Sequence, residues 1–189
     1  MPRYLLSIGF IFLVWPLTPS ASNLGIAAFE GVWQGNAVSE STVSANFRLT
    51  SRDIDIIVQG INDGGFSITW NTVQRQKGDP NNPRAKLKST SMWFSPVRHN
   101  VWRSNKNNDP VSLPTPYAWA FIKDRTLEIV TVQIYKDGNH ETQIYRRTLS
   151  GTGMTLEFSR TLSGKQVRSA SGRLVKVCLL YTSDAADER

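Results

Sequence analysis

The sequence predicts an all-β fold, an antiparallel meander that closes into a barrel or half-open barrel of about eight to ten strands. Three observations lead to this prediction. Glycine-containing turns recur along the chain, the segments between them alternate between apolar and polar residues, and no segment after residue 22 carries the apolar stripe of an amphipathic helix. Such a sheet must bury one face and protect two edge strands, and a barrel does both.

Four short segments have the composition of tight hairpin turns. They are INDGGFS at 61–67, YKDGNHE at 135–141, LSGTGMT at 149–155 and LSGKQV at 162–167. Each places glycine beside Asn, Asp, Ser or Lys, and glycine and asparagine accept the positive φ that such turns require. The last three follow one another closely along the chain, which is typical of an antiparallel meander.

The segments between the turns have a period of two, the pattern of strands with one buried face. Apolar side chains fall at every second position in three sets, which are Phe66, Ile68 and Trp70; Tyr117, Trp119 and Phe121; and Met154, Leu156 and Phe158. Segment 126–135 is apolar on both faces, which predicts a central strand. Further strands are predicted at 31–38, 45–50, 53–61, 86–94, 141–149 and 166–177, with a short one near 100–103 inside the proline-rich linker 95–116.

The first 22 residues have the composition of an export signal. A positive start, Met1-Pro2-Arg3, precedes the apolar run 4–17, and small and helix-breaking residues follow that run. This order is typical of a secretory signal peptide, and the apolar run is too short to span a bilayer comfortably. We therefore expect residues 1–22 to be a signal peptide and the protein to be periplasmic or secreted.

The final segment, 178–189, contains the single cysteine of the chain and has no clear period. Its residues Cys178 to Glu188 resemble the translation of a transposon-type sequencing adapter, so we interpret 178–189 as a non-native tail. The barrel domain then spans 23–177. It has 20 Lys and Arg against 12 Asp and Glu, a net charge of +8, and no cysteine. Disulfides and thiol chemistry are therefore not expected in this domain.

The predicted first strand begins within FEGVWQGNA at 29–37. Its Gly31-x-Trp33 pattern resembles the first-strand motif of lipocalins and related small-ligand barrels. The resemblance implies that the Trp33 ring closes the barrel floor, with a basic residue of the last strand over the ring. Arg168 and Arg173 lie on that predicted strand, and the sequence does not choose between them. The alternative is a glycine-flanked tryptophan that packs in any β-type core.

The lipocalin resemblance and the six tryptophans of the chain predict an interior that holds a small apolar or amphipathic ligand. Barrel interiors and mouths are common ligand sites. The predicted inward-facing, ligand-binding residues are Trp33, Phe66, Ile68, Trp70, Trp93, Trp119, Phe121, Met154, Leu156 and Phe158. The same side chains could instead fill a solid core, because protein interiors are close-packed.

Basic residues form two clusters in or beside predicted loops. One contains Lys77, Arg84, Lys86 and Lys88, and the other contains Arg98, Arg103 and Lys106. Export argues against nucleic acid as a partner and favours anionic lipid headgroups or envelope polysaccharide. A second hypothesis is therefore a structural or interaction protein of the envelope, and a third is an outer-membrane barrel. The alternative for both clusters is an ordinary charged surface.

The sequence offers few candidates for catalysis. His99 and His140 lack metal-ligand spacing, and the chain has neither a nucleophile elbow nor a glycine-rich phosphate loop. Asp53 and Asp55 share one strand face, and the isoleucines that alternate with them predict a solvent-facing surface rather than an acid–base pair. We therefore expect a non-enzymatic protein without a metal or cofactor.

Overall fold

A computed structural model of the chain describes residues 24–44, 48–74, 86–104 and 116–177. Ten antiparallel strands form a meander in which the first and last strands pair, so the sheet closes into a barrel. The predicted fold class is confirmed. The predictions for the signal peptide (1–22), the tail (178–189) and the side chains of Lys77, Arg84, Lys86 and Lys106 lie outside what the structure describes.

The ten strands account for most of the described residues. They are β1 (Gly31–Ser41), β2 (Leu49–Ile61), β3 (Gly65–Gln74), β4 (Lys86–Arg98), β5 (Val101–Ser104), β6 (Tyr117–Lys123), β7 (Thr126–Ile134), β8 (His140–Ser150), β9 (Gly153–Leu162) and β10 (Lys165–Val177). The sequence predicted separate strands at 45–50 and 53–61, whereas β2 runs unbroken from Leu49. The ladder with β1 continues through Arg52 and Asp53, which pair with Ala37 and Asn36, and Arg52 points into the cavity.

All four predicted glycine turns join neighbouring strands. In the tight β9–β10 turn, Ser163 and Gly164 both have positive φ, of 46° and 82°. Turns of this kind match the right-handed twist of the flanking strands. The β6–β7 turn lacks a glycine, and Asp124 adopts the left-handed conformation there with φ of 54°. Aspartate visits this region more readily than most residues, which explains why glycine punctuation alone did not predict this turn.

The segment before β1 closes one end of the barrel, here called the floor. A 3-10 helix (Ile26–Phe29) places Phe29, which is fully buried, against the barrel core. The indole Nε1 of Trp33 donates a hydrogen bond of 2.8 Å to the carbonyl oxygen of Phe29. Asn100 Nδ2, in the β4–β5 turn, donates to the carbonyl oxygen of Leu24 over 3.1 Å. These two bonds anchor the segment to opposite sides of the floor.

A packed aromatic and aliphatic core fills the half of the barrel next to the floor. Phe66 stacks on Phe94 with 4.9 Å between ring centres and meets Trp102 edge-on at 5.3 Å. Such pairs contribute about 0.5–1.5 kcal/mol each beyond their buried area. Trp102 is held in place because its Nε1 donates to the carbonyl oxygen of Gly64 over 2.8 Å. This half of the barrel is a solid core, as the alternative to a hollow interior predicted.

Two glycines lie where β1 and β10 meet to close the sheet. A Cβ at Gly172 would lie 2.6 Å from the Cβ of Ala37, and a Cβ at Gly35 would overlap the carbonyl oxygen of Arg173. Only glycine permits this close approach of the two strands. The barrel therefore closes at a seam that has no room for side chains at these two positions.

Three residues that were predicted to face inward lie on the outer face. Trp93 is 46% exposed, and Trp119 and Phe121 are only partly buried. The period of β6 was predicted correctly, but its inward face carries the smaller side chains. Ala120 pairs directly with Trp102, and both side chains are buried in the interior. A small residue on β6 thus lies beside a large one on β5.

Candidate ligand-binding cavity

A cavity of about 150 Å³, partly open to solvent, lies beyond the packed core, toward the end of the barrel opposite the floor. Its lining residues come from inward positions of seven strands, and they are Ser39, Arg52, Ile54, Trp70, Thr72, Lys88, Thr90, Gln143, Tyr145, Arg147, Leu156, Phe158, Arg160, Arg168 and Ala170. Apolar and strongly basic side chains therefore meet in one confined space.

Three aromatic rings, here called the aromatic row, meet in the cavity from opposite walls of the barrel: Trp70 lies on β3, and Tyr145 and Phe158 lie on the neighbouring strands β8 and β9. The ring centre of Tyr145 lies 5.0 Å from that of Trp70 and 4.9 Å from that of Phe158. Burial raises the pKa of Tyr145 to about 12, so its hydroxyl stays protonated and donates to Gln143 Oε1 over 2.5 Å. The aromatic row is thus a neutral surface with π faces available to a ligand.

The rest of the lining is strongly cationic. Five of the lining residues are Arg52, Lys88, Arg147, Arg160 and Arg168, whereas none is Asp, Glu, His or Cys. Guanidinium groups keep their charge at neutral pH even where burial disfavours it. The cavity therefore presents a large positive potential to anything that enters it.

Arg147 is the most buried of these cations, with 1% of its surface exposed. Its guanidinium carbon lies 5.4 Å from the centre of the Trp70 ring and 5.5 Å from that of Tyr145. Its Nε and Nη1 atoms have no hydrogen-bond partner among the described residues. Burial lowers the pKa of Arg147 to about 10, which still leaves it charged at neutral pH. Arg147 is thus a buried cation whose neighbours in the cavity are aromatic faces.

Glu141 is the carboxylate nearest the basic lining, and it is already paired. Arg160 Nη2 lies 2.5 Å from Glu141 Oε2, and the hydroxyl of Tyr135 donates to the same oxygen over 2.8 Å. Gln143 donates to the other carboxylate oxygen. Burial opposes ionisation of Glu141, but the bonds from Arg160, Tyr135 and Gln143 outweigh it and lower its pKa. The negative charge of Glu141 is therefore committed to Arg160.

Arg52 and Arg168 form a second basic group in the lining. Burial lowers the pKa of Arg52, and the positive charge of Arg168 lowers it further. The buried Nε of Arg52 also lacks a hydrogen-bond partner in the described part of the chain. Between described residues, the ion pairs are Arg160–Glu141 and Arg146–Glu128, so neither includes Arg52 or Arg168. These two like charges face the cavity uncompensated by those pairs.

The sequence-predicted ligand residues separate into three groups. Trp70, Leu156 and Phe158 line the cavity. Trp33, Phe66, Ile68 and Met154 belong to the packed core near the floor, and Trp93, Trp119 and Phe121 lie outside. The prediction of an inward ligand face was therefore too broad, because half of the interior is filled.

The two basic clusters were predicted to lie on the outer surface, and Lys88 departs from that prediction. Lys88 occupies an inward position of β4 and lines the cavity while remaining exposed to solvent. Arg98 and Arg103 are exposed, as predicted. Sequence reasoning missed Arg52, Tyr145, Arg147 and Arg160 as cavity residues. The sequence predicted a strand at 141–149, but the alternation within it, which places Gln143, Tyr145 and Arg147 on one face, was not used to assign an inward face.

The Trp33 ring lies near the floor with a cation above it, as the lipocalin resemblance implies. That cation is Lys176, whose Nζ lies 5.5 Å from the ring centre and which pairs directly with Trp33 across β1 and β10. The candidates taken from the sequence, Arg168 and Arg173, were wrong. Arg168 lies at the other end of β10 in the cavity, and Arg173 is exposed on the outer face.

Solved structures share this fold. The S-type phycobiliprotein lyase CPES from Guillardia theta superposes with a TM-score of 0.54 at 12% identity, over 84% of this chain and 96% of that one. A DUF3598-family protein of unknown function from Nostoc punctiforme gives 0.55 at 11% identity, over 86% of this chain and 53% of its own length. Rv2717c from M. tuberculosis superposes with a TM-score of 0.51 at 10% identity, over 81% of this chain and 97% of that one.

The first two of these structures are lipocalin-like ten-strand barrels, so the lipocalin resemblance is confirmed at the level of fold. Identities of this size show the fold alone. The chain spans about half the length of the Nostoc protein. No family model matches the chain, and no curated protein matches its sequence.

The described residues provide no grouping suited to a metal ion. No three His, Cys, Asp or Glu side chains among them lie close enough together to hold one. His99 and His140 are both exposed. Asp53 and Asp55 alternate with buried Ile54 and Ile56, which confirms that they lie on an outer strand face. Within the described ranges, no helix is long and apolar enough to cross a membrane.

Proposed function

We propose that the protein is an exported, lipocalin-like barrel that binds a small amphipathic ligand in its cavity. The observation that carries this proposal is that the aromatic row and a cluster of cations line one cavity inside the barrel. An apolar body would lie against Trp70, Phe158 and Leu156, and a polar group would reach the basic lining. Export is supported by the composition of residues 1–22.

The cavity volume limits the ligand to a small molecule. Sites for drug-sized ligands usually measure about 300–1,000 Å³, whereas this cavity measures about 150 Å³. A single ring or a short acyl chain fits this volume, and a phospholipid does not. We propose binding rather than catalysis; the described lining residues include no His, Cys, Asp or Glu, the groups that most often act as base or nucleophile.

A matched pair of variants on β10 tests the cavity as the binding site. Ala170 lines the cavity, and its neighbour Ser171 is exposed on the outer face. Benzoate, added during NMR titration of the isotope-labelled protein, should bind the parent protein and Ser171→Phe but not Ala170→Phe, in which the new ring fills the cavity. Binding that survives Ala170→Phe in a folded protein would overturn the proposal.

A second candidate function is contact with an anionic membrane surface. Exposed Arg98 and Arg103 lie on β4 and β5 beside Trp93 and Val97, which are 46% and 60% exposed. Basic and aromatic side chains together favour attraction to anionic headgroups. Vesicles containing phosphatidylglycerol should then bind the protein at low salt and release it at high salt, and Arg98→Gln with Arg103→Gln should weaken that binding. Equal binding at both salt concentrations would exclude this function.

A further inference from the structure

We infer that the cavity ligand is a small organic anion, such as a single-ring or short-chain carboxylate, and that Arg147 is its principal recognition residue. The inference rests on the proposed ligand-binding function and names the class of ligand. Three independent features of the cavity support it.

The first feature is the unfulfilled hydrogen-bonding capacity of Arg147. A buried charge is strongly disfavoured unless it is paired and hydrogen-bonded. Two of the three guanidinium nitrogens of Arg147 lack a partner among the described residues. The rings of Trp70 and Tyr145 attract the cation, but a ring face accepts hydrogen bonds only weakly. An anionic oxygen from a ligand would supply the missing acceptor.

The second feature is the charge balance of the lining. Five cations line the cavity, and the adjacent carboxylate, Glu141, is bonded by Arg160, Tyr135 and Gln143. Burial and then the nearby positive charge of Arg168 lower the pKa of Arg52, so the two cations lie close together in the lining. A bound anion would relieve this repulsion. A neutral ligand would displace water from the cations without supplying a negative charge in its place. The cavity therefore selects against uncharged ligands of the same shape.

The third feature is the position of Arg147 next to the aromatic row. The guanidinium lies beside Trp70 and Tyr145, and Tyr145 in turn contacts Phe158. A ligand that stacks on this row would therefore hold a carboxylate within reach of Arg147 while its apolar part stays on the rings. The small volume favours a single ring or a short chain as the part of the ligand that enters the cavity. Charge-assisted bonds of a guanidinium to a carboxylate are among the strongest that a site can offer.

Carboxylate and amide pairs of the same shape test the inference directly. Benzoate is compared with benzamide, and hexanoate with hexanamide, by NMR titration of the full chain. We expect each carboxylate to bind about tenfold or more tightly than its amide, since a charge-assisted bond is lost in the amide. Arg147→Met should remove most of this preference and Arg147→Lys part of it. The neighbouring Arg146→Met should retain it, because Arg146 is 44% exposed and pairs with Glu128 on the outer face.

The outcomes separate the ligand class from the proposed function. If carboxylates and amides bind equally and Ala170→Phe abolishes both, ligand binding stands and the anion inference is overturned. If no member of either pair binds at millimolar concentration, both proposals are overturned. A carboxylate preference that persists in Arg147→Met and Arg147→Lys would remove Arg147 from the recognition role. Inorganic phosphate that binds as tightly as benzoate would overturn the assignment to an organic anion.

Discussion

The guanidinium of Arg147 and the indole of Trp70 face each other inside the barrel, 5.4 Å apart between the guanidinium carbon and the ring centre. An indole face attracts a cation, yet it does not replace the hydrogen bonds that water gives to a guanidinium group. Burial of Arg147 without hydrogen-bond partners for Nε and Nη1 among the described residues therefore provides a recognition group for a ligand and destabilises the ligand-free barrel.

Replacing Arg147 with methionine should stabilise the ligand-free protein. Apolar replacement of a buried ionic group is often stabilising by about 1–3 kcal/mol, since the desolvation penalty disappears while packing is kept. Urea unfolding of the parent protein and Arg147→Met measures the difference. Arg146→Met, on the outer face of the same strand, should change the free energy of unfolding by less than about 1 kcal/mol. A clear loss of stability in Arg147→Met would show that its contacts with the rings outweigh desolvation.

Glu141 should make the stability of the barrel depend on pH. The folded-state pKa of Glu141 lies below its ordinary value of 4.5. Its contribution is therefore present above that ordinary value and is lost as the pH falls through the lowered folded-state pKa. Glu141→Gln should be about 1–2 kcal/mol less stable than the parent at neutral pH, and the two should converge in strong acid.

Urea unfolding across the acid range measures this convergence. Glu128→Gln is the matched control, because Glu128 also pairs with an arginine, at 2.6 Å, but that arginine is 44% exposed. Exposed pairs contribute little, so this control should stay close to the parent at neutral pH. A Glu141→Gln deficit that is the same in acid as at neutral pH would contradict the assignment.

Trp33 should stabilise the floor through its hydrogen bond more than through the cation above it. Trp33→Phe removes the donor to the buried carbonyl of Phe29 and part of the ring volume, which should cost about 2–4 kcal/mol. Lys176→Gln removes only a solvent-exposed cation–π contact and should cost about 0.5–1 kcal/mol. Chemical unfolding measures the free energy of unfolding of both variants. A larger loss in Lys176→Gln than in Trp33→Phe would contradict a hydrogen bond as the main stabilising contact of Trp33.

The seam between β1 and β10 should tolerate no side chain at Gly172. In Gly172→Ala the new methyl group would meet the Cβ of Ala37 at 2.6 Å, so the strands must separate, at a cost of about 1–3 kcal/mol. Ser171→Ala, one residue away on the exposed face, should leave the unfolding midpoint nearly unchanged. A Gly172→Ala protein as stable as the parent would show that the seam is looser than described.

Much of the fold could be predicted because turn chemistry and period-two alternation are local signals. Gly164 and the alternation from Met154 to Phe158 predicted β9 and its turn without reference to the rest of the molecule. The direction in which a strand faces is not local. Trp119 was assigned to the interior because it is apolar, but the space beside Ala120 is occupied by Trp102 from a neighbouring strand.

The cavity was less predictable than the fold for a related reason. Patterning assigns polar faces to solvent, so the charged positions of β8, including Arg147, were not recognised as interior. Arg52 lies more than 100 residues before Arg160 and Arg168 in the sequence, and closure of the ten strands brings all three charges to one space. Trp70, Leu156 and Phe158 were found because they follow the apolar pattern.

The tryptophan indole N–H signals in an NMR titration with benzoate test ligand binding in the cavity most directly. Each signal can be assigned by a Trp→Phe substitution. We predict a saturable shift of the Trp70 signal, because Trp70 lines the cavity. The signals of Trp93 and Trp119, on the outer face, should change little. Shifts confined to Trp93 or Trp119, with Trp70 unmoved at saturation, would contradict it.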